Sequence, residues 1–413
     1  MNYKSLKKNH RDLYRLLESE RKRQDEVANL IASENYASPA VLEALGTIFT
    51  DKYAEGKSQQ RYYFGNQYID SVETLAQKLL FRVFQITARK WSINVQPYSG
   101  SIANLAVYVA LLKPGDTVLA MSLEHGGHLT HGHKASFTSS LYNFVHYGVN
   151  AKGVIDYDQV AALAKKNKPK LIICGASAYP RTIDFKKFRQ IADACGAYLM
   201  ADISHIAGLI AGGVHPSPFP QADVITTTTH KTLRGPRAAV IFSKRELSEA
   251  IDKAVFPGLQ GGPHENTIFA IAVMAQEAIR PAFKKYAQQI VKNAATLSQS
   301  LSKFGFDIVT GATSNHLLLV DLGNLGLSGK EAGLLLEKAG IIVNKNMIPG
   351  DKRKPWDPSG IRLGTPALTT RGMTEKEMAL IAFYIKMTLI DRVSAAAVRK
   401  SVRNLTKKFP IWQ

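Results

Sequence analysis

Lys231 sits in the run Val224-Ile-Thr-Thr-Thr-Thr-His-Lys-Thr-Leu-Arg-Gly-Pro-Arg237, in which a β-branched strand delivers one amine to the start of a Gly-Pro turn. Arg234 and Arg237 lie within six residues of it. An amine beside other cations and partly removed from water has its charged form disfavoured, so the neutral form becomes available. A neutral amine is what a Schiff base with an aldehyde cofactor requires. A solvated strand end can carry a lysine too, so this reading depends on its companions.

Three companions precede it in the same alternating strand-and-helix region. Gln96-Pro-Tyr-Ser-Gly-Ser-Ile-Ala-Asn104 passes from strand through the turn Ser99, Gly100, Ser101 into a helix. Unpaired amides at a helix start, with two hydroxyls, suit a phosphate monoester. Asp202 ends the apolar strand Ala197-Tyr-Leu-Met-Ala201, and His205 follows three residues later. A carboxylate there can bond a protonated ring nitrogen and make a pyridine an electron sink; a plain helix cap is the alternative. His128, in Glu124-His-Gly-Gly-His-Leu-Thr-His131, has glycines beside it that permit stacking on a flat ring. The trio His125, His128 and His131 also raises a metal site, but no acidic or cysteine ligands accompany it at zinc-motif spacing, and no metal is expected.

These groups need a scaffold that gathers strand ends. Strands are expected at Ile93–Pro97, Thr117–Met121, Leu141–Tyr147, Leu171–Gly175, Tyr198–Ala201, Val224–Thr228 and Ala239–Phe242, with helices between several of them at Ser101–Leu112, Tyr157–Lys166 and Phe185–Cys195. Such alternation indicates an α/β fold with a mostly parallel sheet covered on both faces, whose ligands collect beyond the carboxyl ends of the strands. The segment Tyr3 to Ala28 has helical spacing and reads as an arm. Thr267 to Phe304 is helical with a break near Pro281. A smaller α+β unit follows, with strands at Ile308, His316–Leu322, Ile341–Asn344 and Gly360–Leu363, and a helix over Ser328 to Ala339 capped by Ser328 and Glu331. The expected division is an N-terminal arm (1–40), a large domain (41–280) and a small C-terminal domain (281–413).

The 413 residues exceed one ordinary core. Cys174 and Cys195 are too few for a disulfide framework and read as core residues in a reducing compartment. Neither a signal-peptide pattern nor a span of about 18 apolar residues is present, so a cytoplasmic protein is expected. The formal charge of +20, with Arg399, Lys400, Arg403, Lys407 and Lys408 near the C-terminus, suits an anionic substrate, nucleic acid or an acidic membrane surface. No nucleic-acid-binding motif accompanies it.

Phosphate cradle, stacking group, acid and lysine occur in the chain order of fold-type-I pyridoxal-phosphate enzymes. The motifs Leu30-Ile-Ala-Ser-Glu-Asn-Tyr36, Tyr53-Ala-Glu-Gly56, Arg61-Tyr-Tyr63, His125-Gly-Gly-His-Leu-Thr-His-Gly132, Thr226-Thr-Thr-Thr-His-Lys-Thr-Leu-Arg-Gly-Pro-Arg237, Gln260-Gly-Gly-Pro263 and Gly360-Ile-Arg-Leu-Gly-Thr-Pro366 together resemble the serine hydroxymethyltransferase family, from about residue 28 to about 372. The resemblance implies interconversion of serine and glycine on pyridoxal 5'-phosphate, with tetrahydrofolate as co-substrate. It implies Lys231 as the Schiff-base lysine, Asp202 as partner of the ring nitrogen, His128 as the stacking group, and Ser99, Gly100 and Ser101 as the phosphate turn. Ser177, His205 and His230 match residues around the ring hydroxyl and the lysine. Ser33 and Arg362 match the substrate-carboxylate contacts, where a guanidinium fork gives two parallel bonds. Tyr53, Glu55 and Tyr63, with Gly261 and Gly262 at the phosphate, match contributions from a second subunit, so a homodimer or tetramer with shared sites is implied. Tyr62, Leu123, Gly127, Leu129 and Asn346 match the folate side.

The chain departs from the family pattern at Lys57-Ser-Gln-Gln60, Phe64, Asp202-Ile-Ser-His205 and Ala238-Ala239. None removes a group that does chemistry. Two other readings are a folate-independent aldolase of threonine-like substrates and a nucleic-acid-binding protein on a degenerate enzyme scaffold.

Overall fold

The computed structural model describes residues 3–411. Met1, Asn2, Trp412 and Gln413, at the outer ends of the expected arm and C-terminal domain, lie outside the described residues. The described residues form two compact units, 40–288 and 3–39 with 289–411. The N-terminal segment therefore clusters with the C-terminal part, where a separate arm was expected.

The larger unit is built on a seven-stranded sheet in the spatial order Trp91–Asn94, Ala239–Lys244, Val224–Thr228, Tyr198–Asp202, Leu171–Cys174, Thr117–Met121, Asn143–Tyr147. Ala239–Lys244 runs against both its neighbours, and the other pairings are parallel. The inner strands are apolar or threonine-rich at every position because both faces are covered; Leu171–Cys174 and Val224–Thr228 are buried throughout. Helices Gly100–Leu111, Tyr157–Asn167 and Phe185–Cys195 lie between strands in sequence. Asp156 and Asp184 cap the last two by accepting from the backbone of Gln159 and Lys187, and Gly196 ends the third in a left-handed turn. Each β-branched or leucine side chain buried in this way contributes roughly 1.5–3 kcal/mol.

In the smaller unit, a four-stranded antiparallel sheet runs Asp307–Ile308, Leu317–Asp321, Gly360–Gly364, Asn344–Asn346. The expected strand at Ile341–Asn344 divides: Ile341–Ile342 pairs in parallel with Ala28–Asn29, and Asn344–Asn346 pairs with Gly360–Arg362. Ser328 and Glu331 form the expected reciprocal cap on Gly329–Lys338. The expected N-terminal helix is two, Lys4–Asn9 and Arg11–Glu26, interrupted at His10; neither buries a residue, and Leu13 and Leu16 are exposed. The later helical stretch breaks as expected, into Glu265–Ala278 and Pro281–Lys303. Among the described residues no helix is long and apolar enough to cross a membrane.

Candidate active site

Asp202 ends the strand Tyr198–Asp202 and is 8% exposed. Its Oδ1 accepts from the Ser204 amide (3.1 Å), and its Oδ2 accepts from Asn104 Nδ2 (2.9 Å) and faces His131 Nε2 (3.1 Å). Burial alone raises the carboxyl's pKa, but the hydrogen bonds from His131 and the Asn104 amide hold it well below the usual carboxylate range. Asn104 also donates to Thr130 Oγ1 (2.9 Å) and accepts from Thr226 Oγ1 (2.7 Å). Thr130 Oγ1 in turn lies 2.8 Å from His128 Nδ1. Burial, with the Lys231 cation nearby, pulls His128 down to about 4. The result is a largely buried, ionised acid beside a neutral imidazole.

Lys231 emerges just past Val224–Thr228. Burial and the cations Lys231 and Arg237 bring its neighbour His230 down to about 3. Arg234, expected to crowd the lysine, places its guanidinium 4.1 Å from the Tyr286 ring centre and 5.6 Å from that of Phe283. Thr232 Oγ1 donates to the His205 carbonyl (3.1 Å) and accepts from the Gly208 amide, tying the lysine turn to the segment after Asp202.

Ser99, in extended backbone, is the N-cap of Gly100–Leu111, yet its hydroxyl is not spent on capping. This turn packs against the lysine strand, since a Cβ on Gly100 would meet Thr228 Cγ2 at 2.7 Å. Ser204 accepts from the Thr228 amide (3.2 Å) and braces the same strand end. Gly175 has φ +139°, and a Cβ there would lie 2.1 Å from the Asp202 carbonyl. That close approach needs glycine. It carries the chain to Ser177, whose amide donates to Gly126 O (2.7 Å) in the loop bearing Leu123, Gly127 and His128.

Tyr53, Glu55, Tyr63, Gly261 and Gly262 form a cluster around Tyr98, one residue before the Ser99–Ser101 turn. Tyr98 bonds Gln260 Oε1 through its amide (3.0 Å) and Gly262 O through its hydroxyl (2.7 Å), and it stacks on His264 at 4.3 Å. Tyr53 and Tyr63 meet edge to face at 5.0 Å, and a Cβ on Gly261 would lie 3.2 Å from Glu55 Oε1. The segment Lys57–Gln60 is a pinned hairpin. Lys57 pairs with Asp252 at 2.8 Å, Ser58 Oγ meets Thr74 Oγ1 at 3.3 Å, and the Gln59 amide donates to Asp70 (3.0 Å). Tyr62 and Leu129 are exposed, and Phe64 is 99% exposed.

In the smaller unit, Arg362 lies on Gly360–Gly364 and is 9% exposed. It donates to Asn344 Oδ1 (3.0 Å), two residues from Asn346 on the neighbouring strand. Burial lowers its pKa to about 10, so it stays charged at neutral pH and gains from an anion. Ser33 follows Ala32, which packs so closely on Gly364 that a Cβ there would lie 2.4 Å from Ala32 Cα.

The residues are chemically suited to pyridoxal phosphate. A buried ionised carboxylate bonded only to amides and an imidazole ends the strand beside the one that leads to the primary amine, and a helix start with an uncommitted hydroxyl packs against that lysine strand. His230 Nδ1 is buried without a partner. The three histidines of the 125–131 loop are committed separately: His131 between Asp202 and the His128 amide, His128 to Thr130, and His125 Nδ1 to the Val149 amide.

Asn104, Thr130, Tyr98 and the role of His131 were not expected. Asn104 carries a usable signal, a polar residue on an apolar helix one turn beyond Gly100. The others depend on loops folding back and leave no periodic trace.

The family model for serine hydroxymethyltransferase matches residues 6–385, beyond both ends of the motif-bearing stretch. The chain is similar to the serine hydroxymethyltransferase of Desulfotalea psychrophila, 53% identical over 402 residues covering 97% of this chain and 94% of that protein. It is equally similar to that of Methanosarcina barkeri, 53% identical over 413 residues covering 98% of this chain and 99% of the relative. With the geometry above, these matches show that the chain belongs to the serine hydroxymethyltransferase family.

Proposed function

We propose that this chain interconverts serine and glycine and passes the hydroxymethyl carbon to tetrahydrofolate, with pyridoxal 5'-phosphate attached at Lys231. The observation that carries the reading is Asp202: a buried carboxylate kept ionised without a paired lysine or arginine, on the strand beside the lysine strand. When bound, the cofactor ring supplies an electron sink for the pair released at the substrate Cα.

The protein's own groups do the rest. Ser99, Gly100 and Ser101 present amides and hydroxyls to the phosphate. Asp202 holds the proton on the ring nitrogen. His128 offers a neutral face to the ring, with Ser177, His205 and His230 around it. Arg362, with Ser33, takes the amino-acid carboxylate in a guanidinium fork. Glu55 manages the proton on the serine hydroxyl, with Tyr53 and Tyr63 beside it. Tyr62, Leu123, Gly127, Leu129 and Asn346 receive the folate.

Tyr53, Glu55, Tyr63, Gly261 and Gly262 serve the site of a second copy. Their exposed aromatic residues, and the bare leucines of the N-terminal helices, suit burial against another chain. We place the protein in the cytoplasm. The intact set of lysine, aspartate, arginine and glutamate favours this reading over the scaffold that only binds nucleic acid. A spectrum tests the reading: addition of glycine and tetrahydrofolate to the purified holoenzyme should produce a long-wavelength band that glycine alone produces weakly. Equal serine cleavage with and without folate would instead favour the aldolase.

A further inference from the structure

Glu55 sits on a sharp turn. Gly56 has φ +102°, and a Cβ there would lie 2.4 Å from Gln60 O, while the Tyr62 amide closes the hairpin onto Glu55 O at 3.0 Å. Beneath the turn runs Arg61, its side chain 3% exposed. Its Nη1 donates to Ala54 O and to Gly56 O, both at 2.8 Å, which are the carbonyls on either side of Glu55. Its Nε donates to Asp70 Oδ1 (2.9 Å), and its Nη2 lies 2.9 Å from Glu73 Oε1. Asp70 and Glu73 both belong to the helix Gln67–Val83. Gln96 Nε2 joins the same knot, reaching Gly56 O (3.0 Å) and Glu73 Oε1 (3.1 Å). The Gln96 carbonyl accepts from Gln260 Nε2 (2.9 Å), and Gln260 Oε1 accepts from the Tyr98 amide. One buried network therefore spans the Glu55 turn, the approach to the phosphate turn and the residue before Gly261.

We propose that Arg61 is a positioning residue for Glu55: it grips both flanking carbonyls and anchors them to Asp70 and Glu73, fixing where the carboxylate meets the substrate. This rests on the reading of Glu55 as the group that handles the serine hydroxyl proton. The planar guanidinium suits three hydrogen bonds and an ion pair at once, whereas a lysine keeps the charge but has only a point-like ammonium. Displacement of a reacting group by about 1 Å costs on the order of 10²-fold in rate.

The test is Arg61→Lys alone and combined with Glu55→Gln, measured as holoenzyme for folate-dependent serine cleavage. Amide exchange of residues 53–63 is followed in the cofactor-free proteins. Arg61→Lys should lower kcat by roughly 10–10²-fold with little change in serine KM, and should add almost nothing in the Glu55→Gln background. Exchange over 53–63 should accelerate at least about tenfold while peptides of the seven-stranded sheet keep their protection. Multiplicative losses in the double variant, or unchanged exchange in Arg61→Lys, would overturn the proposal. If Glu55→Gln itself turns over like wild type, the role of Glu55 falls, and exchange alone decides whether Arg61 holds the turn. Should Arg61→Lys fail to fold, Asp70→Asn, which loosens one anchor and spares both carbonyl bonds, should give the same pattern at roughly threefold; no change in its exchange would overturn the proposal.

Discussion

His131 Nε2 lies 3.1 Å from Asp202 Oδ2 while its Nδ1 accepts from the His128 amide at 3.2 Å. With Nδ1 engaged as an acceptor, the Nε2 proton faces the carboxylate, so the tautomer is set by the backbone of His128. Asp202 stays charged in a buried place because His131 and Asn104 both donate to it. His131→Ala should therefore raise the Asp202 pKa and weaken its grip on a protonated ring nitrogen. A lost hydrogen bond to a charged group costs about 1.5–3 kcal/mol, and cofactor affinity should fall about 10- to 100-fold. Equilibrium dialysis against pyridoxal phosphate measures this, and wild-type affinity would show that His131 is dispensable for Asp202.

Lys231→Ala should abolish covalent attachment of the cofactor. Borohydride reduction followed by mass spectrometry should leave the variant unlabelled and add one pyridoxyl phosphate to the wild-type chain. Labelling of the variant at another lysine at wild-type yield would reassign the anchor.

Glu55→Gln should slow serine cleavage by roughly 10²–10⁴-fold, the range for a positioned acid–base group. Refolding it in mixture with Lys231→Ala tests the shared site. If Glu55 serves the partner's lysine, half the mixed dimers' sites are intact, and an equimolar mixture regains about a quarter of wild-type activity. If Glu55 serves its own chain's lysine, every mixed site lacks one group and no activity returns.

Much of this arrangement is legible in the chain because the sheet is buried on both faces. Leu171–Cys174 and Val224–Thr228 are unbroken apolar or β-branched runs, and each ends where a chemical group begins. The first strand, expected at Ile93–Pro97, ends at Asn94 because the Gln96 side chain leaves for Gly56 and Glu73, and Pro97 has no amide to donate. Ile341–Ile342 reads as the start of one longer strand because its partner, Ala28–Asn29, is remote in sequence. The acidic pair Glu73 and Glu265 is the least legible feature. A glutamate on an amphipathic helix looks solvated until a distant helix closes over it.

Glu265, on the first turn of Glu265–Ala278, is 1% exposed. Burial and the neighbouring Glu73 carboxylate raise its pKa to about 9. An unfolded chain releases that proton near the ordinary value of about 4.3. Between these two values the folded protein holds more protons than the unfolded one, so stability falls as pH rises from about 4.5 to about 9. Glu265→Gln keeps the shape of the protonated acid and cannot ionise. Its melting temperature should match wild type near pH 5 and exceed it at pH 8–9, by about 2–4 °C for each kcal/mol of relieved strain. Buried groups of this kind carry on the order of 1–3 kcal/mol. Calorimetry across that range decides: parallel wild-type and Glu265→Gln profiles would mean that Glu265 is already ionised in the fold and balanced by Arg61, which lies beside Glu73.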